Sequence, residues 1–449
     1  MRNRCMAAGL ALLFLLFSGC TVKVKQSENQ PDTSDYLQVV TLTLAGAGLH
    51  QPDSMLSDER LLDVFEKSSG IRVSIIRSAH LSSQDDYFDY LSLLERSASL
   101  PDLLIFPSIP EIEEKHILTD LKKFVQDDSE YQSIPEPLRK AASFSGGLPA
   151  VPLRYYLEGY FINKAIFETE KIAAPSYGFG FTRFFSSIKA LAAKKGTHLA
   201  LGQFYEIPFW YPVIQKTDPS LWGAYVDGNF SMDGKHFKDG VSYASQLRAA
   251  CYPDTEADAL PKETDESLLK KWKAGSLALY YGSTADIEEI KNVGFSVSFA
   301  GIPGEAPLVD ADYIGITTGC TRPREAFSLL KWLSYGQDGL QERYAAEDSL
   351  LPGSPPLNAD TKLTKQFVDE AELEELQEAV ESVSKAIVRG EDYIPGYHTY
   401  MKRLQYSLSC LPRVEQSAEQ WIFDAVDGKY SFLRYASELN KLVNWRPKE

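Results

Sequence analysis

Cysteine and histidine are both scarce in this chain of 449 residues, with five of the first and six of the second. Cys5, Cys20, Cys251, Cys320 and Cys410 form no Cys-x-x-Cys pair, so nothing points to zinc or thiol-redox chemistry. His50, His80, His116, His198, His236 and His398 are scattered without ligand spacing; no metal site is expected and no cofactor is implied. Also missing are G-x-S-x-G, the Walker loop and H-E-x-x-H. Two Ser-x-x-Lys matches, Ser186 to Lys189 and Ser382 to Lys385, lack the Ser-Asp-Asn and Lys-Thr-Gly companions of penicillin-recognising enzymes and read as solvated helix surface. No catalytic residue is expected. Basic stripes interleaved with aromatics are absent as well, and 46 Lys and Arg stand against 62 Asp and Glu, for a formal charge of −16. Such a surface repels phosphate backbones, which argues against nucleic acid as a partner and leaves solubility as the reading of the acidity.

What is present begins at the N-terminus. Arg2 and Arg4 precede an apolar run, Ala7 to Phe17, that is too short to span a bilayer and reads as a signal peptide over residues 1–19. The run ends in Phe17-Ser18-Gly19-Cys20, which resembles the lipobox of bacterial lipoproteins, with Phe17 where leucine is usual. That resemblance implies fatty acylation of Cys20, palmitate included. Residues 20–37, polar from Lys23 to Asp35, then form a flexible tether that holds the body at the cell membrane, facing the periplasm or the exterior. Loss of Arg2 and Arg4 with the signal takes the formal charge from −16 to −18. Cys251, Cys320 and Cys410 remain, either as one disulfide with a free thiol or as three buried thiols.

The chain is 44% hydrophobic and 24% charged, an ordinary globular composition, and its length calls for two or three lobes. Val39 to Leu44 reads as a strand running into the glycine loop Ala45-Gly46-Ala47-Gly48. Ser57 or Asp58 can cap a helix with Leu61, Leu62, Val64 and Phe65 on one face and Gly70 at its end. Ile71 to Ile76 and Leu103 to Phe106 read as strands, with helical spacing over Asp85 to Ser97 between them. Apolar strands alternating with amphipathic helices predict an α/β fold whose parallel sheet is covered on both faces. Leu363 to Val388 reads as one long acidic helix, apolar at Leu373, Leu376, Val380, Val383 and Ile387.

Phe65-Glu66-Lys67-Ser68-Ser69-Gly70-Ile71-Arg72-Val73, then Leu100-Pro101-Asp102-Leu103-Leu104, resembles the opening of the family 1 extracellular solute-binding proteins, the family of maltose-binding protein. Leu118-Thr119-Asp120-Leu121, Gly147 to Pro152, Tyr160-Phe161-Ile162-Asn163-Lys164, Trp272 to Leu279, Ile302-Pro303-Gly304 and Asp312 to Ile316 continue that family's order, from residue 41 to about 355. After Lys164 the chain departs from the pattern: Pro175 keeps the family's proline, but its tryptophan is missing. The resemblance implies a two-lobe periplasmic binding protein fold of type II, each lobe a mainly parallel sheet flanked by helices, with a hinge between. Lobe 1 is expected to comprise residues 38–151 and 304–355, and lobe 2 residues 152–303 and 356–449. Crossings are expected near Val151 to Leu153, Ile302 to Gly304 and Leu351 to Pro356.

Sugars present apolar C–H faces rimmed by hydroxyls, so a site for them needs flat rings beside Asp, Glu, Asn or Arg. Arg154-Tyr155-Tyr156 stands just past the first crossing, and strand alternation turns one of the two tyrosines toward the core. Glu206-Ile207-Pro208-Phe209-Trp210-Tyr211 is similar to the family's aromatic platform and supplies Glu206, Phe209, Trp210 and Tyr211. Tyr281 and Ser283 end a predicted strand before a helix N-terminus. Asp312 and Tyr313, with Asp310, open the return strand. Tyr397 lies in the loop Tyr393 to Tyr400, which resembles a segment folding over the cleft, whereas Pro107-Ser108 reads as a turn.

The function so implied is capture of a small solute, a carbohydrate being favoured, by a monomeric lipid-anchored protein. It closes about its hinge, delivers to ABC permease subunits and performs no catalysis. A sensor or surface adhesin on the same fold, and a periplasmic hydrolase, are the alternatives.

Overall fold

The computed structural model describes residues 40–46, 59–76, 96, 99–194, 198–215, 222, 225–226, 228–253, 264–345, 353–358, 360–411 and 414–445. The predicted signal peptide, Cys20 and the tether lie outside the described residues, as do Ser57, Asp58 and nearly all of the Asp85 to Ser97 pattern.

Nine strands form one sheet: β1 (Thr41–Gly46), β2 (Arg72–Ile75), β3 (Leu103–Phe106), β4 (Val151–Asn163), β5 (Leu199–Leu201), β6 (Leu277–Ser283), β7 (Val297–Gly301), β8 (Leu308–Ile316) and β9 (Ile387–Val388). The order is β2-β1-β3-β8-β4-β6-β5, with β7 also on β4 and β9 on β8. Both flanks are parallel, β1 with β2 and β3 on one side and β5 with β6 on the other. Between them run the long strands β4 and β8, antiparallel to each other. β8 pairs through Tyr313 to Ile316 with β3, while β4 pairs from Glu158 onward with β6 and from Tyr160 onward with β7. The two strands thus join both halves of a two-lobe α/β fold.

Side-chain alternation along β4 serves two hydrophobic cores. Tyr155, Leu157 and Phe161 join the core that holds β1, β3 and α1 (Glu59–Ser69), and Tyr160 and Ile162 join the other. The even-numbered face turns from polar, at Arg154, Tyr156 and Glu158, to apolar, at Tyr160 and Ile162, across Gly159, where a Cβ would stand 2.5 Å from the Gly301 backbone, so only glycine admits this close approach of β4 to β7. Leu61, Leu62 and Phe65 form the buried face of α1, and Gly70, at φ 73°, ends it as expected.

Residues 363–388 are not one helix. They form the end of α6 (Thr361–Ala371), then α7 (Leu376–Glu381), a 3₁₀ turn (Val383–Lys385) and β9. Glu372 and Glu375 take left-handed backbone at φ 53° and 68° without a glycine or proline to signal it. Tertiary contacts impose the break: the Phe299 N–H donates to the Glu374 carbonyl at 3.0 Å, and the Tyr177 N–H to the Glu375 carboxylate at 2.5 Å. Gly353 to Pro356 is irregular and is tied to the chain after β6 by the Thr284 hydroxyl, which donates to the Gly353 carbonyl at 2.5 Å. Cys251, Cys320 and Cys410 are free thiols, each half-buried. No helix among the described residues is long and apolar enough to cross a membrane.

Candidate functional site

Alternation puts Arg154, Tyr156 and Glu158 on one face of β4, and register sets Asp312, Asp310 and Leu308 of β8 opposite them. Arg154 forms an ion pair with Asp312 and holds its guanidinium 5.7 Å from the centre of the Tyr156 ring. Glu158 is buried and accepts from Arg389 at 2.9 Å and from the Tyr281 hydroxyl at 3.3 Å. Arg389 reaches this point because β9 runs parallel to β8, with its N–H donating to the Val309 carbonyl at 3.0 Å. Its guanidinium also pairs with Glu391 at 2.8 Å and lies 4.0 Å from Asp310, and Lys402 pairs with Glu391 at 2.7 Å. The charges therefore alternate across strands, helix α8 (Gly390–Tyr393) and the π-helical turn His398–Arg403.

Two half-buried carboxyls face this network without a hydrogen bond among the described residues: Glu206, which precedes α4 (Ile207–Val213), and Glu419 in the first turn of α9 (Ala418–Val426). Burial pushes both up to about 7, against the opposing pull of Arg389 on Glu206 and of Lys402 on Glu419. Asp310 is raised to about 7 by the same cause, although 40% of its side chain still meets solvent. Glu391 goes the other way: burial opposes it, but Arg389 and Lys402 hold it at about 2. Carboxyls that titrate near neutrality can donate as well as accept, which suits a hydroxyl-rich solute.

A second contact lies beside the first. Ser108 donates to Glu111 of α2 (Ile109–Glu113), and the His398 N–H donates to the same carboxylate at 3.4 Å. Burial raises Glu111 to about 7, with the Ser108 bond opposing. Ser108 is thus more than a turn residue. Among the described residues no group of His, Cys, Asp and Glu is arranged to hold a metal ion.

Of the residues chosen from sequence, Arg154, Tyr156, Glu206, Tyr281 and Asp312 come together here. Ser283 is near the end of β6, where its side chain accepts from the Ala285 N–H at 3.1 Å and caps the following turn. Tyr155 faces the opposite side of β4. Phe209, Trp210 and Tyr211 form core rather than an open platform: Trp210 is fully buried, 5.8 Å from Phe184 and 6.4 Å from Tyr160, and Tyr211 lies 4.7 Å from Phe181. Phe209 packs on Trp222 at 6.1 Å. The cause is helix α5 (Lys235–Cys251), whose Gly240 lets it close over α4, a Cβ there meeting the Pro208 Cα at 3.0 Å. Tyr313 is buried against Phe106 at 6.4 Å, and Tyr397 against Phe230 at 6.2 Å. Sequence reasoning passed over Glu158, Arg389, Glu391, Lys402, Glu419 and Glu111. Only Glu158 left a local signal, a lone carboxylate inside an apolar strand. Ser186 donates to the Arg183 carbonyl at 3.1 Å on its own helix, α3 (Phe181–Ala192), as a helix-surface serine does.

A two-lobe α/β fold with polar groups gathered on its crossing strands defines a class of binding proteins. The sequence matches the family described as bacterial extracellular solute-binding protein over residues 60–375, and the chain belongs to that family. By sequence alone no curated protein matches it. Solved structures are similar in fold. An ABC substrate-binding protein from Listeria monocytogenes, in complex with cycloalternan, superposes with a TM-score of 0.66 at 13% identity, over 90% of this chain and 98% of that one. The sugar-binding protein MalE from Xanthomonas citri gives 0.68 at 14% identity, over 90% and 96%. A sugar transporter from Rhizobium etli, in an open conformation, gives 0.67 at 16% identity, over 90% and 99%.

Proposed function

We propose that this protein is an exported lipoprotein, anchored through Cys20, that captures a neutral carbohydrate and passes it to an ABC permease. The lobes, divided at residues 151/152, 303/304 and 355/356, close around the sugar by rotation about β4 and β8. The observation that carries the reading is the shared polar face of those two strands, where Arg154, Tyr156, Glu158, Asp310 and Asp312 adjoin Arg389. Donors, acceptors and the Tyr156 ring together match a pyranose, whose hydroxyls need both partners and whose C–H face needs a flat ring. The sugars named for the similar structures point the same way. The protein turns nothing over; it binds as a monomer and releases.

A thermal-shift panel of sugars, polyols, oligopeptides and divalent ions tests this. A sugar at a hundredfold its dissociation constant stabilises the folded state by about 2.7 kcal/mol. The expected outcome is a rise confined to sugars and lost in Tyr156→Ala. A response to peptides or metal ions alone contradicts the carbohydrate assignment. Metabolic labelling with a fatty acid, abolished in Cys20→Ala, checks the anchor.

A further inference from the structure

Charge does not balance in the polar cluster. Arg389 donates to Glu158 at 2.9 Å and to Glu391 at 2.8 Å, and Lys402 donates to Glu391 at 2.7 Å. Arg154, the other cation on this face, is paired with Asp312. Three further carboxyls, Glu206, Asp310 and Glu419, accept no hydrogen bond among the described residues, although Asp310 stands 4.0 Å from Arg389. The cluster around Arg389 and Lys402 therefore holds more carboxyls than its two cations can neutralise.

The charged groups that act on Glu206 are Arg389, Lys402, Glu158, Glu391 and Glu419. Those that act on Glu419 are Lys402, Arg389 and Glu391. The phenols of Tyr160, Tyr281 and Tyr397 also face Glu206, and burial moves all three further above neutrality, so none of them titrates in this range. Protons or a cationic solute can supply the missing positive charge. Protons suffice, because burial already holds Glu206 and Glu419 at about 7. They also supply what a sugar needs: with Arg154, Arg389 and Lys402 paired and the Tyr281 hydroxyl given to Glu158, protonated carboxyls are the new donors. Both side chains are half-buried, so both remain accessible to a solute.

We propose that Glu206 and Glu419 are proton-carrying specificity residues of the sugar site: as carboxylic acids they donate to sugar hydroxyls, and as carboxylates they repel each other and any anionic sugar. Capture then takes up protons from solvent and weakens as the medium turns alkaline. A uronic or sialic acid meets no uncommitted cation and is rejected. The inference rests on the carbohydrate reading and adds to it which sugars are held and at what pH.

The test is a calorimetric titration of the purified protein at pH 6 and pH 8 with mono- to tetrasaccharides of glucose, galactose and xylose. A site that needs one carboxyl protonated, with its midpoint at about 7, is competent in about nine-tenths of molecules at pH 6 and about one-tenth at pH 8. The dissociation constant should therefore rise about tenfold for each of the two residues. Glu206→Gln and Glu419→Gln, in which an amide replaces the titrating acid, should each remove about one tenfold factor, and the double variant should show no pH dependence. Carboxyl NMR of the unliganded, glutamate-labelled protein should show a signal with a midpoint at about 7 that each single variant deletes. Affinity that is equal at both pH values, or that rises toward pH 8, overturns the proposal and leaves the carbohydrate reading standing. So does a pH dependence that survives in the double variant. Ordinary midpoints for both carboxyls overturn it without reference to any sugar. If none of the sugars binds at either pH, the carbohydrate reading falls and the proposal falls with it.

Discussion

Arg389 holds together side chains that arrive from three parts of the chain, pairing with Glu158 at 2.9 Å and Glu391 at 2.8 Å and standing 4.0 Å from Asp310. Removing one partner of a buried pair leaves the other charge uncompensated, at a cost of about 3–5 kcal/mol. Arg389→Ala should therefore lower unfolding free energy by that order in urea titrations, and Arg389→Lys should restore only part, because an ammonium cannot reproduce the forked geometry. The carboxyls set a pH dependence of definite sign. Glu111, Glu206 and Glu419 titrate at about 7 in the folded protein, against about 4.3 in an unfolded chain. Between those values the folded state holds more protons, so their contribution is full below about pH 4.3 and is lost as pH rises through 7. Glu391, at about 2, contributes above about pH 4.3 and loses its contribution as pH falls. Calorimetric melts should show highest stability near about pH 5 and a decline toward pH 8 that Glu206→Gln makes shallower. Stability rising steadily to pH 8 would contradict the buried setting of these groups.

At the level of elements, the break between α6 and α7 gives a direct test. Glu372 is exposed and left-handed, a conformation that costs a side-chain-bearing residue about 1–2 kcal/mol. Glu372→Gly should raise stability by about 1 kcal/mol; in an unbroken helix the same change would lower it by about 0.5–1 kcal/mol. Melting or urea titration separates the two. The reading of residues 363–388 as one helix failed here because the spacing of Leu373, Leu376 and Val380 fits either arrangement, while the deciding bonds come from Phe299 and Tyr177 far away in sequence. β1, β2, β3 and α1 were legible because their signals are local: apolar runs, one amphipathic face and Gly70 at the helix end. The run Phe209-Trp210-Tyr211 was ambiguous for the opposite reason. Consecutive rings suit an open platform or a helix buried on every side, and only the close approach of Gly240 in α5 decides for burial.

Across the whole molecule, β4 and β8 join two hydrophobic cores and carry the polar cluster on one face. The order of family motifs along the chain made the two-lobe fold legible. The site was only partly so, since Glu206, Tyr281, Arg389 and Glu419 meet through folding over some two hundred residues and no spacing rule reports such a meeting. In the structure α8 lies on α2 and Glu111 accepts from the His398 N–H. If a sugar binds by closure, small-angle scattering should show a smaller radius of gyration with it, and Glu111→Ala should shift the unliganded protein toward the larger value. The most direct test is a calorimetric titration of the purified protein with neutral mono- to tetrasaccharides. The account predicts saturation at one site by at least one of them, lost in Tyr156→Ala and in Arg389→Ala while both variants remain folded. A folded protein that binds none of these sugars, or that binds one equally well without Tyr156 and Arg389, would contradict it.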